Sequence, residues 1–168
     1  LLHRLDDLAG QLGSAADIDG PAALCAALFG VGRFRGDAED YYDPRNSLLD
    51  QVLERGVGIP ITLSVLGIEL GRRVGVAMVG VGMPGHFLVR DAHDADRFFD
   101  PFHGGIELDA AGCERRFGLL HRGQLRFDAT MLAPTPTPVV LARILNNLHG
   151  ACLRVGDRTG AVRAMALR

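Results

Sequence analysis

Residues 60–74 read Pro60-Ile-Thr-Leu-Ser-Val-Leu-Gly-Ile-Glu-Leu-Gly-Arg-Arg-Val74, and this stretch decides the fold. Pro60 suits a first helical turn, where its missing N–H has no partner to lose. Ile61, Leu63, Val65, Leu66, Ile68 and Leu70 then cover most of the helix circumference. A helix that is apolar nearly all round is a buried one, so the segment reads as a central helix with other elements packed about it. Arg72 and Arg73 suit the negative end of the helix dipole, and Gly75 suits a left-handed cap.

Working back from Pro60, Gly56 and Gly58 punctuate the chain. Ser47 is expected to cap a short helix over 48–55, with Pro44 discouraging an earlier start. Residues 30–42 are rich in glycine and charge and read as a loop. A helix starts at Pro21 and runs through Phe29, and residues 1–12 carry apolar side chains at helical spacing.

Working forward, the period changes. Residues 76–82, 85–90, 97–100 and 105–108 are short, apolar and separated by turn residues, as strands are. Strands this close together are joined by hairpins, so the sheet is antiparallel. Asp109 and Glu114 suggest a capped helix through Phe117, and residues 124–127 read as a last strand. Pro134-Thr-Pro-Thr-Pro138 reads as a stiff linker. Helices over 139–155 and 158–167 follow, with Gly156-Asp157 as the turn between them. Helices and strands are segregated, so the fold class is α+β.

Composition narrows the function classes. The chain has 168 residues, with 48% hydrophobic and 23% charged, which is the globular range. The formal net charge is −2, and all 18 basic side chains are Arg, scattered rather than clustered, so no nucleic-acid surface is expected. Cys25, Cys113 and Cys152 are three widely spaced cysteines, a poor disulfide framework that suits a reducing compartment, so a cytoplasmic protein is expected. No leader is apparent and no apolar run approaches the ~18 residues that span a bilayer, so no membrane partner is expected. The start at Leu1 and the stop at Arg168 inside a helical pattern suggest a piece of a larger protein. Oligomeric state is left open.

Three segments could carry chemistry: Tyr42-Asp-Pro-Arg-Asn-Ser-Leu-Leu-Asp50 running on to Pro60, Gly82-Met-Pro-Gly-His-Phe-Leu-Val-Arg90, and Phe98-Phe-Asp-Pro-Phe-His-Gly-Gly105. His86 opens one expected strand and Asp100 ends the next, 14 residues on. Neighbouring strands lie ~4.8 Å apart, so Asp100 can orient the imidazole. A plain alternative is a structural hydrogen bond that ties two strands together. His86, His93, Asp94 and His103 are close in sequence, but their spacing matches no metal motif and His93 and His103 fall in turns. No metal site and no cofactor are therefore expected.

DPRNSLLDQVLERGVGIPITLS, then PGHFLVR, then FFDPFHGG resembles the SirB-type branch of the transglutaminase-like superfamily, found in bacteria. The resemblance covers about residues 1–130 and implies a papain-like core. The tail after Pro138 is similar to one incomplete tetratricopeptide unit. The implied division is residues 1–133, a linker at 134–138 and a helical hairpin at 139–168. Active members of the superfamily place a cysteine at the first turn of the buried helix, a His at the start of a strand and an Asp on the next. Carried over, the His is His86, the Asp is Asp100, and the thiol position is Pro60, which has nothing to attack with.

The reading that follows is a pseudoenzyme: a binding or regulatory module for a protein or peptide partner. Its cleft is expected to be lined by Asn46, Pro60, Thr62 and Gly85, with Ser64, His86 and Asp100. The alternative is a hydrolase or an amide/acyl-transfer enzyme, in which Ser64 or a water is activated by His86 and Asp100.

Overall fold

A computed structural model describes residues 1–13, 18–30 and 32–168. In chain order the helices are α1 (Leu2–Leu12), α2 (Gly20–Cys25, running on as a π turn over Ala26–Gly30), α3 (Leu49–Arg55), α4 (Pro60–Val74), α5 (Ala110–His121), α6 (Thr137–Arg154) and α7 (Arg158–Ala166). The strands are β1 (Arg35–Gly36), β2 (Val57–Gly58), β3 (Met78–Val81), β4 (Leu88–Asp91), β5 (Phe98–Asp100) and β6 (Ile106–Leu108). The fold is α+β, as the segregation of periods indicates.

The central helix is α4. Leu63, Leu66 and Leu70 are fully buried, and with Leu24, Leu28, Phe29, Val89 and Phe99 they form the main core. Strands β3–β4–β5–β6 make an antiparallel meander in that order. Both faces of β5 are covered. Phe99 joins the α4 side, and Phe98 joins a second cluster with Val81, Met83, Leu88 and Cys113. All of β5 is therefore buried, including Asp100, which cannot stay there as a carboxylate without partners.

Several boundaries differ from expectation. Ser47 does not cap α3. It lies in a 3₁₀ turn, Pro44–Ser47, which Asp43 caps by accepting Arg45 N–H at 2.9 Å, and Leu48 stands at the α3 N-cap. The expected loop over 30–42 contains β1, which pairs in parallel with β2 and was too short to show a period; residue 31 lies outside the described residues. Helix α5 runs four residues past Phe117 and ends on Arg122 at φ 52°. Residues 124–127 are not a strand. Leu125 is exposed there, and Phe127 packs by its ring on Phe117.

The Pro-rich segment is held against the sheet. Pro134 bridges Val81, Thr135 N–H donates to Gly80 O at 2.8 Å, and Thr135 Oγ1 accepts Gly82 N–H at 2.8 Å. Helix α6 starts there and lies over the N-terminal end of α4. Val140 and Ile144 pack on Ile59, Ile61 and Phe87. Among the described residues no helix is long and apolar enough to cross a membrane.

Candidate functional site

The N-terminal end of α4 is fixed by polar groups behind it. Pro60 holds the first helical position, and the Ile59 N–H that precedes it donates to Thr62 Oγ1 at 3.2 Å. Thr62 Oγ1 in turn donates to the Asn46 carbonyl at 2.8 Å. The Asn46 side chain is fully buried among Asp37, the Asp40 carbonyl and Arg55, at 3.1, 2.8 and 2.9 Å. Asn46 and Thr62 thus brace the helix start from inside, while Pro60 and Gly85 face a cavity of about 180 Å³ together with His86.

His86 sits two residues before β4, in the turn that follows Pro84, rather than as the first residue of the strand. Gly85 makes that turn at φ 73°, and a side chain there would also meet Leu120. The turn brings His86 Nε2 to 2.9 Å from Asp100 Oδ2. His86 is 4% exposed and Asp100 not at all. With Nε2 so engaged, Nδ1 is the ring nitrogen left for other partners, and no described residue forms a hydrogen bond with it.

Asp100 has more partners than the sequence suggested. His103 Nδ1 lies 2.8 Å from the same Oδ2, and Arg116 Nε lies 3.4 Å from it. Asp100 also caps the 3₁₀ turn Pro101–His103, its Oδ1 accepting His103 N–H at 3.3 Å. Burial by itself raises the Asp100 pKa, but hydrogen bonds from His103 and His86 outweigh it and hold the carboxyl well below the ordinary range. The signal for His103 was present: an Asp followed by Pro and then His at the third position is an N-cap geometry that returns the third residue to the carboxylate. Read as a lone turn histidine, it was missed. His93 is elsewhere, its N–H bonded to Asp91 Oδ1.

Ser64 does not reach the imidazole. It is fully buried, and its hydroxyl points to the Phe87 carbonyl at 3.5 Å, a long contact. The three cysteines are placed on α2, α5 and α6, none of them on α4. Burial pushes the Cys25 and Cys113 thiols up to about 12 and raises Cys152 as well, so none is an activated thiolate. For metals, the donor atoms of His86, Asp100 and His103 lie within 4.8 Å of one another. The shared Asp100 oxygen also faces the Arg116 guanidinium, whose fixed charge opposes a cation there.

Helix α6 closes the outer side of the cavity, a contribution invisible in the local motifs. Arg143 Nη2 donates to the carbonyls of Met83 and His86 at 2.9 and 3.0 Å, and its guanidinium stacks 5.3 Å from the centre of the Phe87 ring. A Cβ at Gly82 would collide with Arg143 Nη1. Tyr41, Ile61 and Asn147 complete the lining.

The transglutaminase-like superfamily profile matches residues 1–146. The chain belongs to that superfamily. The match runs through the start of α6, so it includes Arg143 as well as the core. A UPF0162 protein of Xylella fastidiosa is 45% identical over 132 residues, 76% of this chain and 47% of that protein. A UPF0162 protein of Pseudomonas aeruginosa is 30% identical over 168 residues, 96% of this chain and 61% of that one. Mouse F-box only protein 21 is 31% identical over 147 residues, 82% of this chain and 22% of its own length. This transglutaminase-like chain spans about half the length of the bacterial relatives it matches. No solved structure matches it.

Proposed function

We propose that this chain is a non-catalytic transglutaminase-like module of the SirB type that engages a protein or peptide partner at the N-terminal end of α4. The observation that carries the reading is Pro60. It occupies the first turn of α4, lines the same cavity as His86, and offers no thiol, hydroxyl or proton. The Ser64 hydroxyl, turned to Phe87 O, supplies no substitute. Use of a similar region within the much longer F-box only protein 21 favours a domain that works as part of larger proteins. The three buried free cysteines favour a reducing compartment such as the cytoplasm. We read residues 1–133 as the module, 134–138 as a Pro-rich joint whose last two residues open α6, and 139–168 as a tetratricopeptide-like unit.

A second reading keeps catalysis, with a water activated by His86 and oriented through Asp100. The observation in its favour is the unengaged Nδ1 beside the cavity. One assay separates the two. The protein and its His86→Ala variant are offered a panel of fluorogenic amide and ester peptides, with folding checked by circular dichroism. The binding module gives equal background rates for both proteins. Hydrolysis that is lost on His86→Ala in a folded protein overturns it.

A further inference from the structure

We infer that the cleft beneath α6 takes an extended acidic peptide segment, read by Arg143 at one end and Arg154 at the other. The inference rests on the binding-module reading and names the chemistry of its partner. Arg143, Asn147, Gly150 and Arg154 follow one another at i, i+4, i+7 and i+11, so they form one stripe along α6. That stripe faces the N-terminal end of α4. Arg143 and Asn147 line the 180 Å³ cavity beside His86. Asn147, Gly150 and Arg154 line a second cavity of about 260 Å³ with Tyr42, Ser47 and Ile59. Both cavities include Tyr41 and Asn147, so they adjoin.

The charge of this cleft is the opposite of the chain's. The chain carries a net −2, yet among the described residues neither cavity is lined by an Asp or Glu. Among the described residues, neither Arg143 nor Arg154 forms a salt bridge. Arg143 spends its Nη2 on two neutral carbonyls, and Arg154 stacks 3.7 Å from the centre of the Tyr42 ring. Two guanidinium charges without counterions, one of them half-buried, are completed by carboxylates. Asn146 and Asn147 between them carry amides that can pair with a peptide backbone. Eleven helical residues span about 16 Å, which an extended peptide covers in about five residues. The ligand is therefore a peptide with two acidic side chains about that far apart.

The probe is a fluorescein-labelled, C-terminally amidated peptide with two Glu about five residues apart in a Ser/Ala background, compared by anisotropy with the same peptide carrying Gln. The expected result is about tenfold tighter binding of the Glu peptide at low salt, a preference that fades as ionic strength rises. Arg154 is exposed, so Arg154→Gln keeps the fold, and it is expected to remove most of the preference. Arg143→Gln should do the same in a protein shown to be folded. Equal binding of the two peptides, no binding of the Glu peptide at millimolar protein, or an unchanged preference in Arg154→Gln overturns the inference. Equal binding still leaves the module reading standing, whereas His86-dependent hydrolysis removes the reading beneath it.

Discussion

His86 Nε2 and Asp100 Oδ2 stand 2.9 Å apart in the interior, and His103 Nδ1 shares that oxygen at 2.8 Å. One carboxylate thus satisfies two imidazoles and faces the Arg116 guanidinium, and no other acid approaches it within salt-bridge range of those groups among the described residues. Asp100→Asn keeps the shape and removes the charge. Breaking a buried charge network from one side costs about 3 kcal/mol. The expected outcome is a urea midpoint lowered by that much stability, with His103→Ala, on the half-exposed side, costing less. Equal stability of Asp100→Asn and the parent would show that the carboxylate is not holding this corner together.

The same carboxyl sets an acid limit. Its folded pKa is lowered, so the unfolded chain binds more protons as pH falls and stability declines in that direction. The contribution is whole above the ordinary Asp value of about 3.9 and is lost progressively below it. The stability gap between the parent and Asp100→Asn is therefore expected to shrink as pH falls below ~4. A gap at pH 3 no smaller than at pH 6, measured by urea unfolding, would contradict the assignment.

How much of this was legible follows from the range of each signal. The central helix, Pro60 at its start, the meander and the His86/Asp100 pair were readable because periodicity and turn residues are local, and a two-strand separation fixes which residues meet. His103 was within reach too, since the Asp-Pro-x-His turn is local, but reading it needed the cap geometry. Strand β1 was not readable, because two residues show no period and the pairing with β2 spans more than twenty positions. Arg143 was the least legible. It reaches Met83 and His86 across about sixty residues, and only the folded chain shows that α6 lies over the cleft.

That docking has its own test. Gly82 lets Arg143 Nη1 and Thr135 Oγ1 approach the chain where any side chain would meet them, Thr135 Oγ1 at 3.0 Å. Gly82→Ala overfills the contact, and overpacking of this kind costs about 1–3 kcal/mol. The expected result is a matching loss in urea unfolding, together with faster amide exchange along the first turns of α6. An unchanged midpoint and unchanged exchange would mean that α6 is not pinned there.

The cysteines should be silent. Cys25, Cys113 and Cys152 are buried, the first two with thiols pushed up to about 12. Alkylation runs through the thiolate, so iodoacetamide at pH 8 is expected to leave the native protein unmodified and to add to all three cysteines in denaturant, read by intact mass. Rapid modification of any one of them in the native protein would reveal a nucleophile that the structure does not contain.

A silent background makes the decisive substitution readable. Pro60→Cys installs a thiol at the first turn of α4, in the cavity that His86 lines, where the helix N-terminus and the imidazole can both favour thiolate. Its alkylation is expected to follow a pKa clearly below the ordinary value of about 8.5, and to move back toward that value when His86→Ala is added. The loss of Pro at the first position is tolerated, since the N–H it restores needs no partner within the helix. If the new thiol titrates normally with or without His86, the imidazole does not address the start of α4. The His86/Asp100 pair is then only a strand-to-strand tie, and Pro60 does not stand where a nucleophile would have to be.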